Sequence, residues 1–376
     1  MSEHQIPTPS TPTDPVTVLS NSPTKRMMPF LGGLPKVENV DLGVFLSYGE
    51  FTPGNQDPRP LYDRMLDLAK TADGAGFKYA WVPEHHLIYL IQSPSSLLPL
   101  VQLAQHVKMR VGAAALVLPY RNPIQAAGEI AQADNATGGR LDIGVARGAY
   151  EFEFDRLGIP FSESLPRFIE TLDSMRLLLE SEENEVSFHG KHVNFDDVYV
   201  WPRPLQKPTP PLWIGAQTEP SIEDAARRGY NVLTSMFFWD DETVERLAAA
   251  FQRGKATNGN HDLRFGITRY AHLAADEADA EARLDELMSH WTIQQQLHDF
   301  SHVDHPLGVI PPRELSNEVD REEARKNVLV GMEDHVRSKL QHYQDMGIDM
   351  VNLSVNYGPP HESVKASIER IGQLGW

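Results

Sequence analysis

Residues 111–150 read VGAAALVLPYRNPIQAAGEIAQADNATGGRLDIGVARGAY, and this stretch decides the fold. Its first part is a run of small and branched apolar residues, which is typical of a buried strand. A segment that ends at Gly138 and Gly139 follows, and a second apolar run begins at Leu141. Glycine adopts the left-handed conformation that ends a helix, so the order is strand, helix, strand. This order predicts one unit of a parallel sheet.

The same arrangement returns along the whole chain. A glycine stops a helical segment at Gly76, Gly229 and Gly347, and an apolar run follows each of them. Eight strand candidates result, at about 41–47, 79–83, 110–118, 141–146, 212–216, 231–235, 264–275 and 349–355. Eight parallel strands with intervening helices predict an α/β fold of the closed (β/α)8 or TIM barrel type rather than an open sheet.

Three segments fall outside the repeating units. Residues 1–37 hold seven of the 28 prolines among Ser and Thr, which predicts a flexible N-terminal tail before a barrel domain over 38–376. Residues 186–211, after the fourth unit, have short alternating runs and then prolines, as in an exposed hairpin with an extended connection. A polar insertion at about 298–328 has no clear periodicity, and we interpret it as a mobile lid.

The composition excludes several classes of function. The chain has 376 residues, of which 41% are apolar and 23% are charged, as is ordinary for a globular protein. A net charge of −18 argues against binding to nucleic acid or to an anionic membrane surface. Because there is no cysteine, thiolate metal sites and a cysteine nucleophile are excluded, and we expect a cytoplasmic protein. The N-terminus does not resemble a secretory signal, and no apolar stretch approaches the roughly 18 residues of a spanning helix.

Motifs of several other enzyme classes are absent from the sequence. There is no GxxxxGK[ST] loop, no HExxH, no G-x-S-x-G and no GxGxxG between a strand and a helix. His302 and His305 lie in the polar insertion, where a solvated pair fits better than a metal site. We therefore predict no resident metal and no bound dinucleotide.

Active sites of such barrels form just after the C-terminal ends of the strands. The second predicted strand is followed by Glu84, His85 and His86, an acid beside two imidazoles. An imidazole can donate a proton near neutral pH and a carboxylate can orient it, so His85 is the candidate catalytic residue and Glu84 its partner. For His86, a structural role at the barrel rim is the favoured alternative.

The fourth and fifth barrel strands end in residues suited to an anion. Arg147 lies among glycines in GVARGAY, and Thr218 and Ser221 stand at the start of a helix. A guanidinium, hydroxyls and the free N–H groups of a helix N-terminus predict one phosphate held between two loops. The simpler alternatives are a structural ion pair for Arg147 and plain helix capping for the hydroxyls. The alanines at 113–115 either admit a flat ring or serve tight packing.

Long strings of the sequence resemble those of the bacterial luciferase-like flavin monooxygenases, and most of all the luciferase α subunit and its non-luminous relatives. The resemblance covers about 40–376. It rests on EHH at 84–86, on the string at 111–150, and on HGKHVNFDDVYVWPRPLQKPTPPLWIGA at 189–216.

This resemblance implies that the barrel binds reduced FMN at its C-terminal face. By position, the bond between Ala114 and Ala115 would be the family's non-prolyl cis peptide beneath the flavin ring. The phosphate would be held by Arg147, Thr218 and Ser221, with Tyr150 and Gln217 nearby. His85 matches the catalytic imidazole, whose implied task is to assist formation or breakdown of a flavin C4a-peroxide.

Two positions depart from the pattern of the light-emitting members. Ala146 stands where luciferase α subunits carry a reactive cysteine, and Gln217 replaces an acidic residue. Both are compatible with flavin binding but argue against light emission. The insertion at 298–328 lies where luciferase has its mobile active-site loop, so the resemblance implies closure over the flavin and exclusion of water.

The resemblance, together with the absence of a dinucleotide-binding motif, implies a two-component FMNH2-dependent monooxygenase. FMNH2 would come from a separate reductase, and one oxygen atom of O2 would enter a small organic substrate. Apolar and aromatic residues near the mouth favour a hydrophobic substrate, such as an aldehyde or ketone: Tyr120, Met236, Phe237, Phe238 and Trp239. The family likeness also implies a homodimer or a heterodimer with a similar chain.

Two alternative functions stay open from the sequence. An F420-dependent oxidoreductase of the same superfamily would use the barrel for hydride transfer without oxygen. A non-catalytic flavin-binding partner subunit, as the luciferase β chain is, would keep the fold without turnover. The presence of Glu84, His85 and Arg147 argues against the second alternative.

Overall fold

Eight parallel strands form a closed barrel. The computed structural model describes residues 40–49, 59–297, 308–309 and 320–375. Its strands are β1 (Asp41–Phe45), β2 (Tyr79–Val82), β3 (Arg110–Val117), β4 (Leu141–Ala146), β5 (Val186–His189), β6 (Asn194–Val198), β7 (Leu212–Gly215), β8 (Asn231–Ser235), β9 (Phe265–Leu273), β10 (Leu329–Gly331) and β11 (Met350–Ser354). The barrel order is β1–β2–β3–β4–β7–β8–β9–β11, and β11 pairs with β1 to close it. The predicted (β/α)8 barrel is confirmed.

Helices connect the barrel strands and cover the outside of the sheet. They are α1 (Arg59–Gly74), α2 (Leu97–Ala104), α3 (Pro123–Ala136), α4 (Glu151–Arg156), α5 (Ser164–Glu180), α6 (Glu219–Arg227), α7 (Asp241–Asn258), α8 (Glu277–Gln295), α9 (Arg321–Asn327), α10 (Glu333–Asp345) and α11 (His361–Gly372). The side chain of Asn122 caps α3, and that of Asp240 caps α7. None of these helices is long and apolar enough to cross a membrane.

The glycines that the sequence placed at helix ends adopt the left-handed conformation. Their φ angles are 87° at Gly76, 66° at Gly138, 86° at Gly229 and 77° at Gly347. A barrel strand follows each of them, namely β2, β4, β8 and β11. The repeated glycine is therefore a local signal that sets the alternation of helix and strand.

The predicted hairpin lies between α5 and β7, after the fourth barrel strand. Its strands β5 and β6 pair antiparallel, with Val186 opposite Val198 and His189 opposite Asn194. This confirms that the segment leaves the repeating pattern as a hairpin.

Two short elements near the C-terminal part were not predicted. Residues 321–327 at the end of the polar insertion form α9, because the side chain of Asp320 accepts the N–H of Glu323 and caps a helix. β10 adds in parallel to β9, and its three residues are too few to show a periodicity. The expectation of an irregular insertion is therefore wrong for 321–327. The predicted tail at 1–37, and the insertion apart from 308–309 and 320–328, lie outside the described residues.

The barrel has an outer core against the helices and an inner core within the strands. Alternate side chains such as Val111, Ile143 and Val232 are fully buried in the outer core. The inner core is made of large side chains: Phe45, Tyr79, Trp81, Trp213, Leu233 and Met350. Glycine is needed beside these rings, because a Cβ on Gly112 would lie 2.4 Å from the Trp81 ring. The lower barrel is thus filled, and any site must lie at its mouth.

Candidate active site

Small residues stand at the C-terminal ends of three neighbouring strands. Ala114 of β3, Ala146 of β4 and Gly215 of β7 are all at least partly exposed. A Cβ on Gly215 would lie 3.3 Å from the Cβ of Ala146, so these strand ends are in close contact. The buried rings of Trp81 and Trp213 belong to the core within the barrel. Small side chains at the mouth therefore contrast with a core of large rings, and we call Ala114, Ala146 and Gly215 with their neighbours the floor of the mouth.

The peptide bond between Ala114 and Ala115 is cis, as the resemblance implied. Here the pairing of β3 with β4 shifts register between Ala113 and Leu116. Gly144 of β4 permits this irregularity, because a Cβ there would lie 2.3 Å from the carbonyl oxygen of Ala113. Ala114 and Ala115 are both partly exposed at the floor.

Arg147 directly follows β4 and is exposed. Its guanidinium carbon lies 5.5 Å from the centre of the Phe161 ring, a cation–π contact. Within the described ranges no carboxylate pairs with it, so the structural ion pair left open by the sequence is not seen there. Because β4 pairs with β7 through Val145 and Ile214, Arg147 lies beside the loop that begins at Ala216. Its donors are free for an anion at this place.

Thr218 and Ser221 form a reciprocal cap at the start of α6. The hydroxyl oxygens lie 2.8 Å apart, and the backbone N–H of each residue points to the hydroxyl of the other, at 3.2 and 3.4 Å. Both residues are exposed. The capping interpretation of these hydroxyls is therefore correct, and it leaves them at the surface, where an anion could still reach them.

A cleft of about 460 Å³ opens next to this cap, between the starts of α6 and α7. Gln217, which is exposed, and Thr218 line one side, and Phe238 and Trp239 line the other. Its size falls within the range of small-molecule sites in proteins. Of the predicted phosphate residues, Thr218 borders this cleft, whereas Arg147 and Ser221 do not line it.

His85 is held by a carboxylate from a different loop. Its Nδ1 lies 3.3 Å from Oε1 of Glu153 in α4, and its side chain is 21% exposed against 1% for Glu153. The backbone N–H of His86 donates to the same Oε1 at 2.7 Å. The hydroxyl of Tyr120 donates to Oε2 at 3.3 Å. Glu153 therefore joins groups that follow β2 and β3.

Glu84 contacts the other histidine of the motif. Its fully buried carboxylate lies 3.4 Å from Nε2 of His86 and 2.5 Å from a guanidinium nitrogen of Arg121. The backbone N–H of Val117 also donates to it, at 3.3 Å. Glu84 thus ties the ends of β2 and β3 together, and the sequence expectation that it orients His85 is not what the geometry shows.

Two tyrosines pack against the histidines. The Tyr150 ring lies 5.2 Å from that of His85, and the Tyr120 ring lies 5.4 Å from that of His86. Burial raises the pKa of both phenols, and for Tyr120 the charge of Glu153 raises it further. Both therefore stay protonated at neutral pH. Tyr150 lies at the histidine side of the mouth, where it packs with Ile88.

The apolar residues predicted near the mouth fall into two groups. Phe237 and Phe238 join Tyr270 and Trp291 in an aromatic cluster, with ring centres of Phe238 and Trp291 4.5 Å apart. Met236 directly follows the C-terminal end of β8, and its side chain is fully buried in the outer core. Side chains along β8 alternate between the inside and the outside of the barrel, and the sequence pattern did not show to which side each one points.

Besides Arg121, the partner of Glu84, the sequence analysis missed Glu153. It lies 68 positions after His85, in the segment GAYEFEFDR, where it looks like an acidic residue in the first turn of a short helix. The partner of a histidine is adjacent in space rather than in sequence. The one available signal was its position after the end of β4, where the barrel places site residues.

The fold and this mouth define the class of the protein, a (β/α)8 barrel with its polar site at the C-terminal ends of the strands. A family model described as luciferase-like monooxygenase matches residues 40–350. The chain therefore belongs to the luciferase-like monooxygenase family.

Two similar proteins with named activities are flavin-dependent monooxygenases. The oxygenase component of a flavin-dependent trigonelline monooxygenase from Acinetobacter baylyi is 31% identical over 336 residues, which are 84% of this chain and 89% of that protein. An FMNH2-dependent dimethylsulfone monooxygenase from Pseudomonas putida is 29% identical over 234 residues, 60% of this chain and 62% of that protein.

Solved structures share the fold at lower identity. Monooxygenase RslO1 from Streptomyces bottropensis superposes with a TM-score of 0.77 and 24% identity, over 89% of this chain and 98% of that one. An F420-dependent secondary alcohol dehydrogenase in complex with an F420–acetone adduct gives a TM-score of 0.71 and 17% identity, over 89% and 98%. An F420-dependent enzyme thus shares this fold.

Proposed function

We propose that the protein is the oxygenase component of a two-component monooxygenase that uses reduced FMN and O2. The observation that carries this proposal is the exposed Arg147, which has no carboxylate partner among the described residues and directly follows β4, the strand paired with β7. The loop after β7 leads into the capped start of α6, and a guanidinium together with a helix N-terminus suits a phosphate monoester. Membership of the family and the flavin dependence of the relatives support the same cofactor.

The residues at the mouth suit FMN by their chemistry. Arg147 would bind the phosphate, with the hydroxyls of Thr218 and Ser221 and the nearby Gln217 completing its surroundings. The floor of small residues around Ala114 and Ala115 would lie against the flavin ring, because bulkier side chains there would occupy the place of a flat group. Tyr150 would contact the ring side of the site through its packing on His85.

Reduced FMN, when bound, supplies the activation of O2 that amino-acid side chains do not provide. The task of this chain is to bind, orient and keep the site dry. His85 would donate or accept a proton at Nε2, since Nδ1 is engaged by Glu153. Glu84 would act indirectly, by fixing His86 and the neighbouring strand end.

The substrate we propose is a small, uncharged and mainly hydrophobic molecule. The aromatic cluster around Phe237, Phe238 and Trp291 supports this class. Within it, burial raises the pKa of Tyr270 and Tyr357, so these phenols bring no charge at neutral pH. The relatives act on compounds as different as trigonelline and dimethylsulfone, so a panel of substrates is needed rather than one.

The proposal includes a separate flavin reductase as partner. The name "oxygenase component" of the Acinetobacter relative supports this division of labour. A location in the cytoplasm and assembly into a homodimer or a heterodimer with a similar chain stay predictions from the sequence.

Oxygen transfer from ¹⁸O2 tests the proposed function. Purified protein, a flavin reductase, NADH and FMN are incubated with aldehydes, cyclic ketones, sulfones and N-methylpyridinium compounds, and the products are analysed by mass spectrometry. We expect one ¹⁸O atom in the product of at least one class, dependent on FMN. The second candidate function is an F420-dependent oxidoreductase, which is supported by the fold shared with the F420-dependent dehydrogenase. Substrate turnover without oxygen, and only with reduced F420, would favour this function instead.

A further inference from the structure

Glu153 has no assigned role, and its contacts give it one. We propose that Glu153 is a positioning residue that fixes the tautomer of His85, so that Nδ1 carries the hydrogen and Nε2 is the atom presented to the mouth. The role in turnover rests on the proposed function, whereas the tautomer is a property of the protein alone. Glu153 itself is not expected to touch substrate or cofactor, because its side chain is only 1% exposed.

Two hydrogen-bond donors and a ring nitrogen of His85 converge on the Glu153 carboxylate. Oε1 accepts the backbone N–H of His86 at 2.7 Å and lies 3.3 Å from Nδ1 of His85, while Oε2 accepts the hydroxyl of Tyr120 at 3.3 Å. An ionised carboxylate only accepts hydrogen bonds. The ring nitrogen that faces it must therefore carry a hydrogen, in both the neutral and the charged form of the imidazole.

The two buried carboxylates, Glu84 and Glu153, differ in their cationic neighbours. Glu84 has the guanidinium of Arg121 at 2.5 Å. Within the described part of the chain, Glu153 has no Arg or Lys within 4.0 Å, and its one titratable basic neighbour is His85. A buried carboxylate without a cation depends on its hydrogen-bond donors. Within the described residues, no Arg or Lys therefore competes with Nδ1–H of His85 for the Glu153 carboxylate.

One ring contact and one backbone hydrogen bond further restrain His85. Tyr150 packs on it with ring centres 5.2 Å apart, and the backbone N–H of His85 donates to the carbonyl of Ser93 at 3.0 Å. The charged and titratable groups around the pair of histidines are Glu153 from α4, Glu84, Arg121, Tyr120 and Tyr150. Of these, Glu153 is the carboxylate that contacts the His85 ring.

The test compares tautomers in protein labelled with ¹⁵N-histidine. Imidazole ¹⁵N shifts distinguish Nδ1–H from Nε2–H, and His85→Asn assigns the signal. In the wild type we expect the Nδ1–H form of His85. Glu153→Gln offers both an N–H and a carbonyl, so we expect a mixture or the other form. Glu153→Asp, which keeps the carboxylate, should restore at least part of the wild-type signal.

Glu129→Gln is the matched control, because Glu129 is an exposed carboxylate that contacts Arg121 and neither histidine. It should keep the wild-type signal and activity. A wild-type His85 in the Nε2–H form, or an unchanged signal in folded Glu153→Gln, would overturn the proposal. If Glu153→Gln does not fold, the wild-type tautomer and Glu153→Asp still decide it.

The role of the His85 tautomer in turnover is tested by the coupling of the reaction, which is the amount of product formed per O2 consumed. With reduced FMN, we expect product per O2 consumed to fall about tenfold or more in Glu153→Gln, as happens when the residue that orients a functional histidine is lost, while FMN affinity stays within about twofold. Normal coupling with an altered tautomer would refute the role in turnover. A tautomer shift in a protein that oxygenates nothing would contradict the proposed function and leave the positioning of His85 intact.

Discussion

At the scale of single residues, the mouth of the barrel separates two kinds of polar group. His85, His86, Glu84 and Glu153 are tied to one another by short contacts. Arg147 stands apart, exposed and with a single ring contact among the described residues. A network whose hydrogen bonds are satisfied internally can position a catalytic group, whereas a cation without a carboxylate partner can bind an anionic ligand. The two predictions below concern these two kinds of residue.

Arg147→Ala should weaken binding of FMN much more than binding of riboflavin, which lacks the phosphate. A hydrogen bond to a charged group contributes about 1.5–3 kcal/mol, which corresponds to a loss of roughly 10- to 100-fold in affinity. Anaerobic titration with both reduced flavins measures the two constants. Equal losses for FMN and riboflavin would mean that Arg147 does not bind the phosphate.

His85→Ala should leave FMN affinity near the wild-type value and reduce the yield of product, with hydrogen peroxide released instead. The reason is that the ring contributes a proton donor near neutral pH rather than an anchor for the cofactor. Oxygen consumption, peroxide and product are measured together. His189→Ala is a suitable control, because His189 lies exposed on the β5–β6 hairpin. Unchanged coupling in His85→Ala would remove this residue from the mechanism.

At the scale of elements, the irregular pairing of β3 with β4 shapes the floor of the mouth. The carbonyl of Ala113 approaches β4 at Gly144, where no side chain could fit. Sequence patterns predicted both strands but not the register shift between them. A periodicity shows which face of a strand a residue occupies, but it does not show how two strands are registered. The cis bond came from the resemblance rather than from the residues.

Gly144→Ala should destabilise the fold by about 1–3 kcal/mol, as expected when a methyl group is forced into a packed site. Its Cβ would lie 2.3 Å from a backbone oxygen that cannot rotate away. Gly74→Ala in α1 is the control, since nothing lies within 4 Å of the added Cβ and the change favours the helix. Chemical denaturation measures both variants. Equal stability of Gly144→Ala and wild type would contradict the close approach.

Short helices and strands are the elements that sequence patterns predict least well. β10 has three residues and α9 has seven, and their positions depend on pairing with β9 and on the cap at Asp320. Glu153 was missed for a related reason, because its contact with His85 exists only after β2 and β4 have been brought together in the barrel. By contrast, EHH, Arg147 and the cap at Thr218 were recognised, since each follows the end of a predicted strand.

At the scale of the whole molecule, folding buries two histidines that stay uncharged. Burial lowers the pKa of His272 to about 4 and that of His290 to about 3. In the unfolded chain the histidines have the ordinary pKa of 6.5. Between this pH and their lowered pKa values, they therefore bind protons in the unfolded chain but not in the folded chain. Stability from this source is complete above about pH 6.5 and is lost as the pH falls toward 4.

We therefore expect the free energy of unfolding to fall between pH 6.5 and pH 4, with about 3 kcal/mol attributable to His272. His272→Gln should flatten this part of the profile, because glutamine does not titrate. Exposed His189→Gln should keep the wild-type slope. Urea denaturation at several pH values measures the slopes. Parallel profiles for His272→Gln and wild type would show that His272 is not the group responsible.

The architecture as a whole was the most predictable property of this chain. Repeated left-handed glycines and eight apolar runs determine the alternation of helix and strand, and closure follows from the number of strands. The chemistry at the mouth depends on contacts between distant segments, which the sequence pattern does not encode.

The central claim is that the barrel mouth binds FMN with its phosphate at Arg147 and its ring over the small floor near His85. A crystal structure of the complex with FMN measures this directly. The account predicts the phosphate within hydrogen-bond distance of the Arg147 guanidinium and of the Thr218 and Ser221 hydroxyls, with the ring against Ala114 and Ala115. A phosphate bound elsewhere, or a ring outside the mouth, would contradict it.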